Sequence, residues 1–262
     1  MFSWRARRQL VVLLVIAVIA AGISFLFFRK YLPIPTCFDN KQNQRELDVD
    51  CDGPCGPCEL KSPKEAEVFW ARAVLTRPQT YDVAVEIRNP NEVLSSADFE
   101  YEFTIFDSFG LVARKVGHTF VLPQERLHIV EANLSTTREP NRVEFKVLNA
   151  NWQFKNQQPP NLVVERRDYV IIDNGGQKQS SVESSIVNRS SFSFSKVVVN
   201  FVVLDEQKNL LGANKILMED FLSGTSRSVK SLWPQEFKGQ VVSINVEPRV
   251  NFFDPALIIK PR

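Results

Sequence analysis

The distribution of apolar and polar positions divides the chain into two parts with different periodicities. Residues 10–28 form an uncharged apolar run of 19 residues, close to the roughly 20 that an α-helix needs to cross a bilayer. From about residue 66, apolar and polar residues alternate, as in 81–88, 99–105 and 142–147. Alternation with period two indicates half-buried β-strands that have one face in a core and one in water. The pattern therefore predicts one membrane-spanning helix followed by a mainly β protein.

A cleaved signal peptide is the main alternative for the apolar run. Signal peptides have a shorter apolar region, of about 7–15 residues, that ends in a small-residue cleavage site. Residues 17–22 could supply such a site, but the run continues to Phe28, which favours an anchor. Three arginines in residues 1–9 oppose Arg29 and Lys30 beyond the run, and this bias modestly favours a cytoplasmic N-terminus.

The alternating region repeats its layout after about 99 positions. The corresponding pairs include Trp70 and Tyr169, Asn89 and Asn188, and Val130 and Val229. Each unit holds about six or seven candidate strands and no long amphipathic helix. About 100 residues of short alternating strands favour a β-sandwich. The sequence thus predicts two tandem immunoglobulin-like antiparallel β-sandwich domains, over residues 66–160 and 161–262.

Short motifs occur in both units, at residues 87–91, 103–107, 187–190 and 201–205. These motifs resemble those of two related families, the bacterial FxLYD domain and the late-embryogenesis-abundant type-2 domain with its Asn-Pro-Asn turn. The Tyr of the FxLYD motif is replaced by Phe in the first unit and by Leu in the second. The resemblance implies small antiparallel sandwiches, usually extracytoplasmic, without catalytic residues. The Asn89-Pro90-Asn91 tripeptide itself predicts a turn that ends a strand.

All four cysteines lie just beyond the apolar run, at Cys37, Cys51, Cys55 and Cys58. Such a cluster without histidine favours an oxidising compartment, and three disulfide pairings remain open. Acidic residues crowd the same segment, at Asp39, Glu46, Asp48, Asp50, Asp52 and Glu59. Oxygen ligands in a small loop suit Ca²⁺ better than Zn²⁺. A metal-free disulfide knot and a four-cysteine zinc site, which would need a reducing compartment, are the alternatives.

Two ligand patterns compete in this segment. Residues 48–59 match an EF-hand loop pattern, but Pro54 and Pro57 interrupt it and no amphipathic helices flank it. The segment also resembles a cysteine-rich motif of bacterial surface proteins, roughly C-x-D-G-x-x-N-x-x-E-x-D-x-D-C-G-G-x-C-x-x-C. That resemblance implies two disulfides around a Ca²⁺ site, although Asn40 and Asp52 replace two glycines of the motif. The predicted ligands are Asp39, Asn43, Glu46, Asp48, Asp50 and Asp52.

Composition and motifs give little support to catalysis or nucleic-acid binding. The formal net charge is +2, and His118 and His128 are the only histidines. Neither lies in a nucleophile or metal motif, and the chain lacks a phosphate-binding loop and a dinucleotide fingerprint. Both histidines are predicted to be structural or exposed, and Trp152 and Trp233 to be sandwich core. The expected protein is not an enzyme and has no nucleic-acid partner or small-molecule substrate.

Together these features predict a single-pass protein of the cell membrane. Its parts are a cytoplasmic N-terminus (1–9), a transmembrane helix (10–28), a calcium-binding stalk (29–65) and two extracytoplasmic sandwiches. The predicted role is structural or binding, with protein partners in the cell envelope. The alternative is an accessory subunit of a secretion or pilus-type complex, in which the small residues 20–22 would allow close helix packing.

Overall fold

The computed structural model describes residues 4–31, 36–155 and 158–259. Residues 1–3, 32–35, 156–157 and 260–262 therefore lie outside the described residues; they belong to the predicted N-terminal segment, stalk, first sandwich and second sandwich, in that order. The chain is mainly β, as predicted, and it divides into two compact units, residues 1–58 and 59–262. The division falls inside the predicted stalk of residues 29–65.

The first unit contains a long apolar helix and the cysteine segment. Helix α1 spans Trp4–Tyr31 and extends past both ends of the predicted run. The flanking arginines and lysine are strong helix formers, so the helix does not stop where the apolar residues stop. Its stretch Arg7–Phe28 has 22 residues, and by length and composition it could cross a membrane.

The second unit begins with a β-sandwich of six strands, called sandwich 1. They are β1 (Glu67–Arg77), β2 (Thr80–Arg88), β3 (Leu94–Asp107), β4 (Gly110–Val121), β5 (Arg126–Ser135) and β6 (Arg142–Phe154). Two antiparallel sheets, β1-β2-β5 and β4-β3-β6, face each other. Alternate residues of β2 and β3, such as Val83, Val85, Phe99 and Phe103, fill the space between the sheets, as period-two patterning predicts.

Sandwich 2 repeats this arrangement. Its strands are β7 (Leu162–Asn174), β8 (Gln177–Asn188), β9 (Ser193–Leu204), β10 (Leu210–Phe221), β11 (Ser226–Trp233), β12 (Ser243–Arg249) and the short β13 (Ile258–Ile259). The sheets are β7-β8-β11 and β10-β9-β12, with β13 also paired to β9. Each strand of sandwich 1 thus has a counterpart six strands later, and all described strand pairings stay within one sandwich.

A buried asparagine occupies the same place in each sandwich, at the end of β2 and of β8. Asn89 donates from Nδ2 to the carbonyls of Leu94 and Leu122, at 2.8 and 2.7 Å. Asn188 donates in the same way to Phe192 and Phe221, at 2.8 and 3.2 Å. β2 ends at Arg88, directly before the Asn89-Pro90-Asn91 tripeptide that was predicted to end a strand. The asparagine side chain also links the end of β2 by hydrogen bonds to the start of β3 and to the chain after β4.

The central strand of one sheet in each sandwich, β2 or β9, is buried on both faces along most of its length, which corrects the prediction of half-buried strands for β2. Ala84, on the face of β2 that was predicted to be solvated, is fully buried. It belongs to a third apolar cluster that joins the sandwiches: Ala84, Val130, Val202, Leu204, Leu210 and Ala213. Sandwich 2 covers this face and excludes water from it. The near-continuous apolar run of β9, residues 197–204, fits a strand buried on both sides.

Polar contacts surround the apolar contact between the sandwiches. His128 Nδ1 lies 2.6 Å from Glu247 Oε1, and Asn200 Nδ2 donates to the His128 carbonyl at 3.0 Å. Lys215 Nζ pairs with Glu131 at 2.9 Å. These bonds and the apolar cluster join the two sandwiches.

Candidate functional site

The cysteine loop, residues 36–58, is held by two disulfides. Cys37 pairs with Cys55 and Cys51 with Cys58, which selects one of the three open pairings. The loop contains one isolated β-bridge, Asp48 to Cys51, and ends where a single 3₁₀ turn begins at Cys58. A segment with so little regular structure and so few buried apolar side chains needs cross-links to keep a fixed shape.

The backbone of the loop turns sharply through residues in the left-handed conformation. Asn40 and Asp52, which replace glycines of the resembled motif, have φ values of 57° and 60°. Asn and Asp tolerate this conformation best among residues with a side chain. The two substitutions therefore keep the backbone geometry for which glycine is the default.

Gly53 follows with φ of 62°, and an added Cβ would lie 2.8 Å from the Arg45 carbonyl oxygen. We expect Gly53→Ala to destabilise the native loop by at least about 2 kcal/mol, since strain and a backbone clash add. Asp52→Gly is the matched control and should be neutral or stabilising. The measurement is the yield of the two native disulfides after oxidative refolding. Equal yields for the two variants would contradict this account of the loop.

Four of the six predicted ligands form one hydrogen-bonded group. Asn43 Nδ2 donates to Asp39 Oδ2 at 2.9 Å, and this bond is the main reason that the pKa of Asp39 lies below its usual value. Glu46 Oε2 accepts from the backbone amides of Asn43 and Asp50, at 3.0 and 3.2 Å. Asp50 Oδ1 accepts from the Asp39 amide at 3.1 Å. The carboxylates thus organise the loop backbone around themselves.

Asp48 and Asp52 take other roles. Asp48 Oδ1 accepts from the next amide, that of Val49, at 2.8 Å. Asp52 shapes the loop through its backbone, since its amide donates to Gly56 and its carbonyl accepts from Cys55, at 2.8 and 3.0 Å. Within the described loop residues 36–58, no hydrogen bond joins these two side chains to the group of the other four.

The donor set of the loop suits a hard cation better than a soft one. Glu46 is buried at 6% exposure, and the buried Asn43 Oδ1 has no hydrogen-bond partner in the described structure. Glu46 also lies with Cys37 and Cys55 in a group whose candidate ligand atoms are within 4.8 Å of one another. Those sulfurs form a disulfide and cannot act as thiolates, so the zinc alternative conflicts with this structure. The oxygen atoms remain compatible with Ca²⁺.

The histidines and tryptophans lie in the sandwiches. His128 is buried against Glu247 between the sandwiches. His118 is exposed, and its Nδ1 lies 2.9 Å from Asp98 Oδ1. Trp233 is buried in sandwich 2. Trp152 packs against the core of sandwich 1. The contact of His128 with Glu247 joins positions 119 residues apart, and no local sequence signal marks such a pair.

Comparison with models of known protein families and with curated proteins gave no match. The resemblances to FxLYD domains, to late-embryogenesis-abundant type-2 domains and to the cysteine-rich motif therefore stay predictions.

Proposed function

We propose that this chain is a membrane-anchored protein that holds two joined β-sandwiches outside the cytoplasm as a structural or binding module. The observation that carries the proposal is the bare apolar surface of α1. The most apolar part of its stretch Arg7–Phe28 has no residue buried within the described structure. Apolar surface of this extent is costly in water, and a bilayer removes that cost.

The disulfides support the orientation. Both lie within residues 37–58, directly after the helix in sequence, and disulfides persist in oxidising compartments. The arginines Arg5, Arg7 and Arg8 precede the apolar run and favour the cytoplasmic side. The proposed topology therefore has the N-terminus inside the cell and the sandwiches outside.

Charges placed in the middle of the helix test the anchor. We expect Ile16→Asp combined with Ile19→Asp to move the chain out of the membrane fraction, because each Asp disfavours insertion by about 2.5–3.5 kcal/mol. The matched control, Ile16→Leu with Ile19→Leu, should remain in the membrane pellet after carbonate washing. Retention of the Asp variant in that pellet would contradict the anchor.

Calcium binding by the cysteine loop is part of the proposal, supported by the buried Glu46 and the unpartnered Asn43 Oδ1. Ca²⁺ at 100 times its dissociation constant should stabilise the loop by about 2.7 kcal/mol. Chelation should speed amide hydrogen exchange in residues 37–58 and leave the sandwiches unchanged. The variant Glu46→Gln removes a proposed ligand charge, so its hydrogen exchange should be the same with Ca²⁺ and with chelator. Identical exchange with Ca²⁺ and with chelator would remove calcium from the proposal.

An accessory subunit of a secretion or pilus-type complex is the second candidate. It is favoured by Ala20-Ala21-Gly22 in α1, where Gly22 has open space around it and could allow another helix to approach. Gentle solubilisation distinguishes the two functions. Partner proteins that co-purify with the chain, and are lost when Gly22 is changed to Leu, would favour the complex over simple display.

A further inference from the structure

The chain enters the sandwiches at one end of sandwich 1, where hydrogen bonds hold it in place. The Glu59 carboxylate accepts from the backbone amides of Glu92 and Val93, at 2.8 and 3.0 Å. The Lys64 amide donates to Asn91 Oδ1 at 2.8 Å, and Asn91 Nδ2 donates back to the Lys64 carbonyl at 2.9 Å. The segment that follows the cysteine loop therefore lies against the turn between β2 and β3. We call this end of the sandwiches the entry end.

Sandwich 2 contributes its own segments to the entry end. The turn between β4 and β5 lies there, because the Asn89 amide donates to the Glu125 carbonyl at 2.9 Å. Arg249, at the end of β12, pairs with Glu125 and donates to the Phe120 carbonyl at 2.8 Å. The Phe252 ring follows, with its centroid 6.4 Å from that of Phe120. The chain after β12 therefore reaches the same end of the molecule as the entering segment.

Phenylalanine side chains are exposed at the entry end. Phe192, in the turn between β8 and β9, is 53% exposed and lines a groove of about 440 Å³ together with Phe252. Phe154 pairs with the start of β3 and is 51% exposed, and Phe69 lies near the start of β1. In the described part of residues 59–262, only one other phenylalanine is as exposed as these three. It is Phe109, in the hairpin between β3 and β4 at the opposite end.

The tether between helix α1 and the entry end is short. Fully extended, the residues from Tyr31 to Glu59 would span about 95 Å. The disulfide between Cys37 and Cys55 holds their Cα atoms 5.5 Å apart and bypasses the chain between them. The shortest covalent path from Tyr31 to Glu59 then has a maximum length of about 40 Å. Since α1 ends at Tyr31, Glu59 cannot move further than this from the end of the proposed membrane span.

This short tether favours the lipid surface as the partner of the exposed phenylalanines. Exposed apolar patches mark sites of interaction with proteins or membranes. Tethering raises the effective concentration of a target to the order of mM, so a weak apolar contact forms with the bilayer before it forms with a dilute free protein. Phenylalanine is also among the side chains that interfacial helices bury at the level of the lipid headgroups. The position of the patch thus decides between the two kinds of partner.

We propose that the entry end of the sandwiches rests on the bilayer, with Phe154 and Phe192 inserted at the level of the lipid headgroups. This inference rests on the proposed anchor and adds a second contact with the membrane. The opposite end, with Phe109, then faces away from the membrane. The two contacts together fix which end of the sandwiches is displayed.

Tryptophan fluorescence of the full chain in phosphatidylcholine vesicles tests the contact. Phe192→Trp and Phe154→Trp are the test variants, and Phe109→Trp is the control at the opposite end. Each is compared in vesicles with and without brominated acyl chains, and the signal of the four native tryptophans is subtracted with the parent chain. We expect the bromines to quench the added tryptophan at least about twofold at positions 192 and 154. The tryptophan at 109 should emit equally in both kinds of vesicle.

Thermal unfolding that matches the parent shows that the variants are folded, and two test positions guard against the failure of one. Absence of added quenching at both 192 and 154 would overturn the proposal, as would equal quenching at all three positions. A tryptophan at 192 that is shielded only when other membrane proteins are added would assign the patch to a protein partner and would also overturn it. Carbonate washing of the same vesicles tests the anchor separately. A chain that stays in the pellet without quenching refutes the surface contact alone.

Discussion

Introducing glutamate at Val202 is expected to lower the free energy of unfolding by about 3–5 kcal/mol. Val202 is 1% exposed and lies in the apolar cluster that joins the two sandwiches. A carboxylate there would lose its hydration among apolar neighbours such as Ala84 and Val130. Urea unfolding of the full chain in detergent micelles, followed by tryptophan fluorescence, measures the loss.

Val170→Glu is the matched control for this prediction. Val170 lies on β7 and is 48% exposed, so glutamate there should cost less than about 0.5 kcal/mol. The Val202 variant should also unfold in two separate transitions, because the sandwiches would no longer stabilise each other. Equal losses in the two variants would mean that the cluster does not join the sandwiches.

Alanine at Asn89 or at Asn188 is expected to cost about 3–4 kcal/mol in each case, from the loss of several buried hydrogen bonds. Asn89 Oδ1 accepts two bonds from Asn91, at 3.0 and 2.8 Å, in addition to the two that its Nδ2 donates. Asn188 Oδ1 accepts likewise from the amide and hydroxyl of Ser190, at 3.1 and 2.5 Å. Since the geometry is equivalent, the two losses should be similar.

Two further variants separate this effect from a general cost of losing asparagine. Asn174→Ala removes an exposed amide and should cost less than about 0.5 kcal/mol. Asn89→Asp keeps the oxygen that accepts the two bonds from Asn91 but places a carboxylate oxygen against the Leu94 and Leu122 carbonyls in place of Nδ2. It should destabilise the fold at pH 7 and recover part of the loss at acidic pH. An Asp variant as stable as the parent would contradict the role of the two donated bonds.

The class of fold and the repeat could be predicted from the sequence because they depend on local periodicity. The alternation of apolar and polar residues predicts strand β3, and equivalent positions such as Asn89 and Asn188 indicate that the sandwich is duplicated. In the cysteine loop, the left-handed backbone at Asn40 and Asp52 occupies the positions where the resembled motif has glycine. Features that are encoded within a few neighbouring residues are thus accessible to sequence reasoning.

The contact between the sandwiches could not be predicted in this way. Ala84 interrupts the apolar alternation of β2 and is compatible with either a solvated or a buried face, and only sandwich 2 decides between them. The partners of His128 and Asn251 lie 119 and 154 residues away in sequence. The disulfide pairing was also undetermined, since spacing allows three solutions. The contacts between the sandwiches depend on how distant segments are arranged in three dimensions, and the disulfide pairing depends on the path of the loop backbone.

Cysteine labelling in intact cells tests the central claim, that the disulfide-bonded loop and the sandwiches lie outside the cytoplasm. A membrane-impermeant maleimide is added to cells with or without a membrane-impermeant reductant, and the mass shift of the chain is measured. The account predicts no label without reductant and labelling of all four cysteines with it. Labelling only after lysis, without any need for reductant, would contradict both the disulfides and the orientation.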